Sequence, residues 1–120
     1  MEQRRRILIV EDEVLIRFFL HDLLLEYGWE VLEAGTAEEG LMVFDKSSPV
    51  NAVISDLEMP GQLDGLGLCW EVHKRAPGIA KILMSGRRLP PKDALPPNTR
   101  FFAKPVLSDQ LLHALTDMLP

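Results

Sequence analysis

The chain has 120 residues, 47% of them hydrophobic and 26% charged, with a net charge of −5. That balance suits a compact globular domain and excludes a disordered tail, which is too poor in apolar residues to offset chain entropy. The acidic charge speaks against autonomous nucleic-acid binding, and the lone Cys69 excludes an internal disulfide and any multi-cysteine zinc site.

Domains commonly run to ~100–150 residues, so residues 1–120 are expected to form one domain. The basic start, Met1 to Arg6, meets only the short apolar run Ile7–Val10 before Glu11, Asp12 and Glu13. That run is too short for a signal-peptide core, and no apolar stretch approaches the ~18 residues of a membrane span. A cytoplasmic protein is expected.

Ile7–Val10 reads as a strand buried on both faces. Helical spacing follows over 14–27, with Ile16, Phe19, Leu20, Leu23, Leu24 and Tyr27 on one face and Gly28 as the stop. Residues 29–34 read as a second strand. Thr36 then caps a helix, with Glu39 completing a capping box and Leu41, Met42 and Phe44 as its apolar residues. Residues 52–55 form a third strand, and Asp64 with Gly65 opens a helix that runs to about Arg75. Residues 81–84 and 100–103 are the fourth and fifth strands, and Ser108 caps a last helix bearing Leu111, Leu112, Leu115 and Leu119.

Alternating strands and helices imply right-handed parallel crossovers, hence a doubly wound α/β layer. The segment between the fourth and fifth strands breaks the pattern. Four of the nine prolines stand at 90, 91, 96 and 97, leaving barely one turn between them. The helix expected there is short or missing.

In an open parallel sheet the ligand crevice lies beyond the carboxyl ends of the strands. Glu11 and Asp12 follow the first strand, Asp56 the third, Ser85 the fourth and Lys104 the fifth. Three converging carboxylates repel, so they hold a cation or shift their pKa values. An all-oxygen set with few carboxylates suits Mg²⁺. An ammonium and a hydroxyl suit the oxygens of a phosphoryl group. The chemistry these residues suggest is phosphoryl transfer onto Asp56 as nucleophile.

These residues resemble the receiver domain of two-component response regulators. The resemblance runs from Ile7 to the final helix and rests on Glu11-Asp12, Asp56-Leu-Glu-Met-Pro60, Asp64-Gly65, Ser85-Gly86 and Lys104-Pro105. It implies a flavodoxin-like five-stranded sheet of order 2-1-3-4-5. It implies that Asp56 accepts phosphoryl from a partner kinase's phosphohistidine. Mg²⁺ would be held by Asp12, Asp56 and the Glu58 backbone carbonyl, with Glu11 acting largely through water. Lys104, before a cis Pro105, would pair with the phosphoryl group, Ser85 would be the switch hydroxyl, and Phe101 the coupled aromatic.

The chain departs from the resemblance in three places: Glu11 stands where Asp is commoner, the Asp56-to-Asp64 spacing is one longer than in many receivers, and prolines replace most of the fourth crossover helix. Glu58 and Arg87 are expected to meet across the pocket mouth. Leu15, Phe18, Asp22 and Leu25 form a second stripe on the first helix, expected to dock the kinase's phosphotransfer domain. The chain ends just after its last helix, so a stand-alone regulator acting by protein–protein contact is expected rather than an enzyme, with an unidentified downstream target and no direct nucleic-acid or membrane partner. The alternatives are a receiver module of a hybrid histidine kinase or larger regulator, and a Mg²⁺-dependent aspartyl-phosphate hydrolase using Glu58 as acid/base.

Overall fold

In the computed structural model, which describes residues 4–119, strands and helices alternate along the chain. The strands are β1 (Arg6–Val10), β2 (Glu30–Ala34), β3 (Ala52–Asp56), β4 (Ala80–Ser85) and β5 (Thr99–Ala103). The helices are α1 (Val14–Glu26), α2 (Ala37–Lys46), α3 (Gly65–Arg75) and α4 (Ser108–Met118). Every strand pair is parallel, in the order β2-β1-β3-β4-β5. The order reverses between β1 and β3, so their carboxyl ends open the crevice where ligands bind such sheets.

Side-chain alternation along the strands divides the core into two layers. Ile7 and Ile9 of β1, Ile54 of β3 and Ile82 of β4 pack with Leu20 and Leu24 of α1 and Leu111 and Leu115 of α4. Leu8, Val10 and Val53 point the other way, onto Ala37 and Phe44 of α2 and Leu68 and Val72 of α3. Truncating one of these fully buried side chains to alanine costs ~2–5 kcal/mol. The two layers therefore fix the strand ends that carry the polar residues.

Between β4 and β5 the only helical piece is a 3-10 turn, Lys92–Ala94. The prolines that flank it deny further backbone donors, as the sequence suggested. Trp70 of α3 anchors this crossover by donating its indole N–H to Ala94 O at 2.7 Å. Beneath it, Leu57, Cys69 and Leu83 form a small cluster joined by Leu66, Leu95 and Phe101.

Some local expectations need correction. Phe19 and Tyr27 are exposed, at 51% and 61%, because the buried stripe of α1 narrows to Leu20 and Leu24 with Ile16 and Leu23 beside them. Met42 likewise faces outward. Ser108 is the first residue of α4 rather than its cap; Leu107 holds the cap position, and its N–H donates to Gln110 Oε1 at 3.2 Å. Thr36 does cap α2, with Oγ1 accepting from Glu39 N at 3.1 Å.

Candidate functional site

Each expected polar residue stands at or just past the carboxyl end of its strand. Asp56 and Ser85 close β3 and β4, Glu11 and Asp12 follow β1, and Lys104 follows β5. Parallel pairing sets Asp56 beside Met84 and Ser85 beside Ala103, so the ends lie level. Gly65 lets the chain turn back tightly: a Cβ there would overlap the carbonyl oxygen of Asp56. Asp12, Asp56 and Lys104 border a cleft of about 610 Å³ together with Glu58, Met59 and Arg88, while Glu11 and Ser85 lie buried behind it. A larger hollow, beside the amino ends of β1 and β2, is lined by Arg4, Tyr27, Trp29 and His113 and gathers no comparable set of acids.

Lys104 joins two carboxylates that would otherwise repel. Its Nζ lies 3.0 Å from Glu11 Oε1 and 2.9 Å from Asp56 Oδ2. Glu11 is fully buried, and its other oxygen accepts from Glu13 N at 3.1 Å. Burial pushes the Glu11 carboxyl above its ordinary pKa despite those bonds. Burial does the same to Asp56, against the pull of Lys104. For Lys104 burial opposes the charge, but the hydrogen bonds to Asp56 and Glu11 outweigh it and raise its pKa.

Oxygens of Glu11, Asp12 and Asp56 come within 4.8 Å of one another. Asp56 Oδ1 is buried and has no hydrogen-bond partner. A carboxylate oxygen in that position ordinarily finds a donor or a cation. Three hard oxygen donors around it fit Mg²⁺, with waters completing the shell. The Glu58 carboxylate is not part of this group, which leaves its backbone carbonyl as the atom that the resemblance assigns to the cation.

The Glu58 side chain turns toward β4 instead. Ser85 Oγ donates to its carboxylate, with the oxygens at 2.7 and 2.8 Å, and accepts from the N–H groups of Arg87 and Arg88. The cation opposite Glu58 is Arg88 rather than Arg87. Arg88 Nε lies 3.2 Å from Glu58 Oε2, and its Nη2 lies 3.6 Å from Asp64. The turn after Ser85, which brings both amides onto the Ser85 hydroxyl, carries Arg88 one residue further round than simple spacing suggested.

Phe101 is half-buried on β5 in the cluster with Leu83 and Leu57. The Lys104–Pro105 peptide is cis, and so is Ser48–Pro49, which the sequence gave no reason to expect. Leu15, Phe18, Asp22 and Leu25 are all exposed, and Phe19 joins them. Leu15 and Phe19 also border an apolar groove of about 440 Å³ with Met84, Pro105 and Val106. His21 pairs with Glu33 and His113 with Asp117. Sequence reasoning missed Glu38, whose carboxylate accepts from the amides of Gln62 and Leu63. Only its place in the first turn of a helix hinted at a free carboxylate.

Residues 7–116 match the family model of the response regulator receiver domain. The chain belongs to that family. Among relatives of this receiver domain, a probable transcriptional regulator ycf27 of Pyropia yezoensis is 43% identical over 74 residues, 62% of this chain and 30% of that protein. Transcriptional regulatory protein PdtaR of Mycobacterium tuberculosis is 38% identical over 88 residues, covering 71% of this chain and 42% of the relative. The receiver domain thus spans well under half the length of these proteins. A receiver domain protein from Clostridium thermocellum superimposes with a TM-score of 0.83 at 30% identity, over 95% of this chain and 93% of the other. The receiver domain of the hybrid histidine kinase CckA gives 0.80 at 29% identity, over 96% and 99%.

Proposed function

We propose that this receiver domain is the phosphoryl-accepting switch of a two-component phosphorelay, with Asp56 as the acceptor. The observation that carries this reading is the buried, unpartnered Asp56 Oδ1 within a group of three carboxylates, beside the Lys104 ammonium on Oδ2. In the step itself an Asp56 carboxylate oxygen attacks phosphorus. The P–N bond of a kinase phosphohistidine, or the P–O bond of an acyl phosphate, breaks, and its electron pair leaves with the donor. Lys104 holds the acceptor in place and then faces the phosphoryl oxygens. Mg²⁺, held by Glu11 (through water), Asp12, Asp56 and the Glu58 carbonyl, would supply charge neutralisation for the incoming phosphoryl group.

Ser85 begins on Glu58 and is the hydroxyl placed to exchange onto the phosphoryl group, with Phe101 following it. Leu15, Phe18, Asp22 and Leu25 form the surface for the kinase's phosphotransfer domain, and the switch acts in the cytoplasm on a downstream protein. The hydrolase alternative is disfavoured by the Glu58 carboxylate, which is engaged by Ser85 and Arg88 rather than held free as an acid/base. The test is incubation with Mg²⁺ and acetyl phosphate followed by intact mass. Wild type should gain one phosphoryl group and Asp56→Asn none; an unmodified wild type, or a modified Asp56→Asn, would sink the assignment.

A further inference from the structure

The loop from Glu58 to Asp64 carries part of the proposed site, yet it has little internal support. Among the described residues, Glu58 to Leu63 make no backbone-to-backbone hydrogen bond. The neck is closed by Gly65 N–H donating to Leu57 O at 3.0 Å. At the far side two consecutive amides, Gln62 N and Leu63 N, both donate to one oxygen, Glu38 Oε2, at 3.0 Å. Glu38 belongs to α2, so the support comes from a different element.

Gly61 makes the approach possible. Its φ of +100° turns the chain, and a Cβ there would stand 2.8 Å from Glu38 Oε1. The carboxylate therefore sits where a side chain at 61 would have to go. The Leu63 amide, with Glu38's own amide and that of Gln62, holds the Glu38 carboxyl below its ordinary pKa, consistent with a carboxylate engaged by donors. Met59 and Pro60, between the two anchors, border the acidic cleft.

We propose that Glu38 is a positioning residue: from α2 it fixes the Glu58–Leu63 loop, and thereby the affinity of the acidic pocket for Mg²⁺. The inference rests on the reading of Asp12, Asp56 and the Glu58 carbonyl as the cation site. A ligand atom on a loop that must be ordered at the moment of binding lowers affinity, and an anchor that orders it beforehand restores it. Leu63 and Met59 add apolar contacts to the core layer of α2 and α3, but among the described residues only Glu38 satisfies the two amides.

The experiment combines amide hydrogen exchange by NMR with calorimetric titration of Mg²⁺ alone, on wild type, Glu38→Ala and Glu38→Gln. In Glu38→Ala the Gln62 and Leu63 amides should exchange faster, and Mg²⁺ should bind roughly threefold to tenfold more weakly. Glu38→Gln, whose amide oxygen can still accept from both N–H groups, should stay near wild type in both readouts. Glu38→Ala binding Mg²⁺ within about twofold of wild type would overturn the proposal. So would Glu38→Gln as weak as Glu38→Ala, since charge rather than anchoring would then be the cause. A wild type that binds no Mg²⁺ would instead remove the cation-site reading itself, and this inference with it.

Discussion

Two buried carboxylates share Lys104, and one of them, Asp56, keeps an oxygen with no partner at all. Such an arrangement costs stability, because buried carboxylates are desolvated. Burial raises the pKa of Asp56, so the folded chain holds that proton at a higher pH than the unfolded chain does. Stability from this group therefore falls as pH rises through the interval between the two pKa values. Asp56→Asn removes the penalty. In EDTA at pH 7 it should melt above wild type. The gain should shrink as pH falls below the folded pKa and vanish where both states are protonated; a wild type that melts higher at pH 7 would contradict this. Arg88 gives a second expectation. It, and not Arg87, reaches Glu58 across the pocket mouth. Arg88→Ala should change the lifetime of the phosphorylated form, while Arg87→Ala leaves it alone. The pair is exposed, worth ~0–1 kcal/mol, so the change should stay below about fivefold in autodephosphorylation rate.

Helix α1 presents a broader apolar surface than its spacing suggested, because Phe19 joins Leu15, Phe18 and Leu25 outside the core. If this surface docks the kinase, Phe18→Ala should slow phosphotransfer from the kinase and leave phosphorylation by acetyl phosphate unchanged. A parallel loss in both would place Phe18 in the fold rather than at an interface. The Trp70 indole is one tether of the crossover after β4: Trp70→Phe removes the bond to Ala94 O, worth about 1 kcal/mol, and should speed proteolysis within residues 86–97. The elements were legible in sequence because apolar runs and caps are local signals. The four polar strand ends were legible for the same reason: each site residue directly adjoins its strand. What escaped was set by distant contacts. Glu38 bonds to residues 24 and 25 positions away, and the Glu58 partner depends on how the turn after Ser85 closes.

At the scale of the whole chain, the net charge of −5 is unevenly spread. Three acids crowd one end of the sheet within reach of a single cation. A ligand bound only by the folded state stabilises it by mass action, about 2.7 kcal/mol at a hundredfold excess over Kd. Mg²⁺ should therefore raise the wild-type Tm and should do so much less in Asp12→Asn, measured by calorimetric scans with and without EDTA. Among the described residues no helix is long and apolar enough to cross a membrane. The β4–β5 crossover carries a 3-10 turn, Lys92–Ala94, in place of a full helix, and its Leu95 packs with Phe101 against Leu57 and Leu83. The proposed chemistry of the pocket stands on Asp56 as the acceptor. Its most direct test is reductive trapping: the wild type is phosphorylated with acetyl phosphate and Mg²⁺, treated with borohydride, digested and sequenced by mass spectrometry. Aspartyl phosphate is reduced to homoserine, and homoserine is expected at position 56 alone. Homoserine at another aspartate, hydroxynorvaline at a glutamate, or neither in a protein that carries phosphoryl, would contradict it.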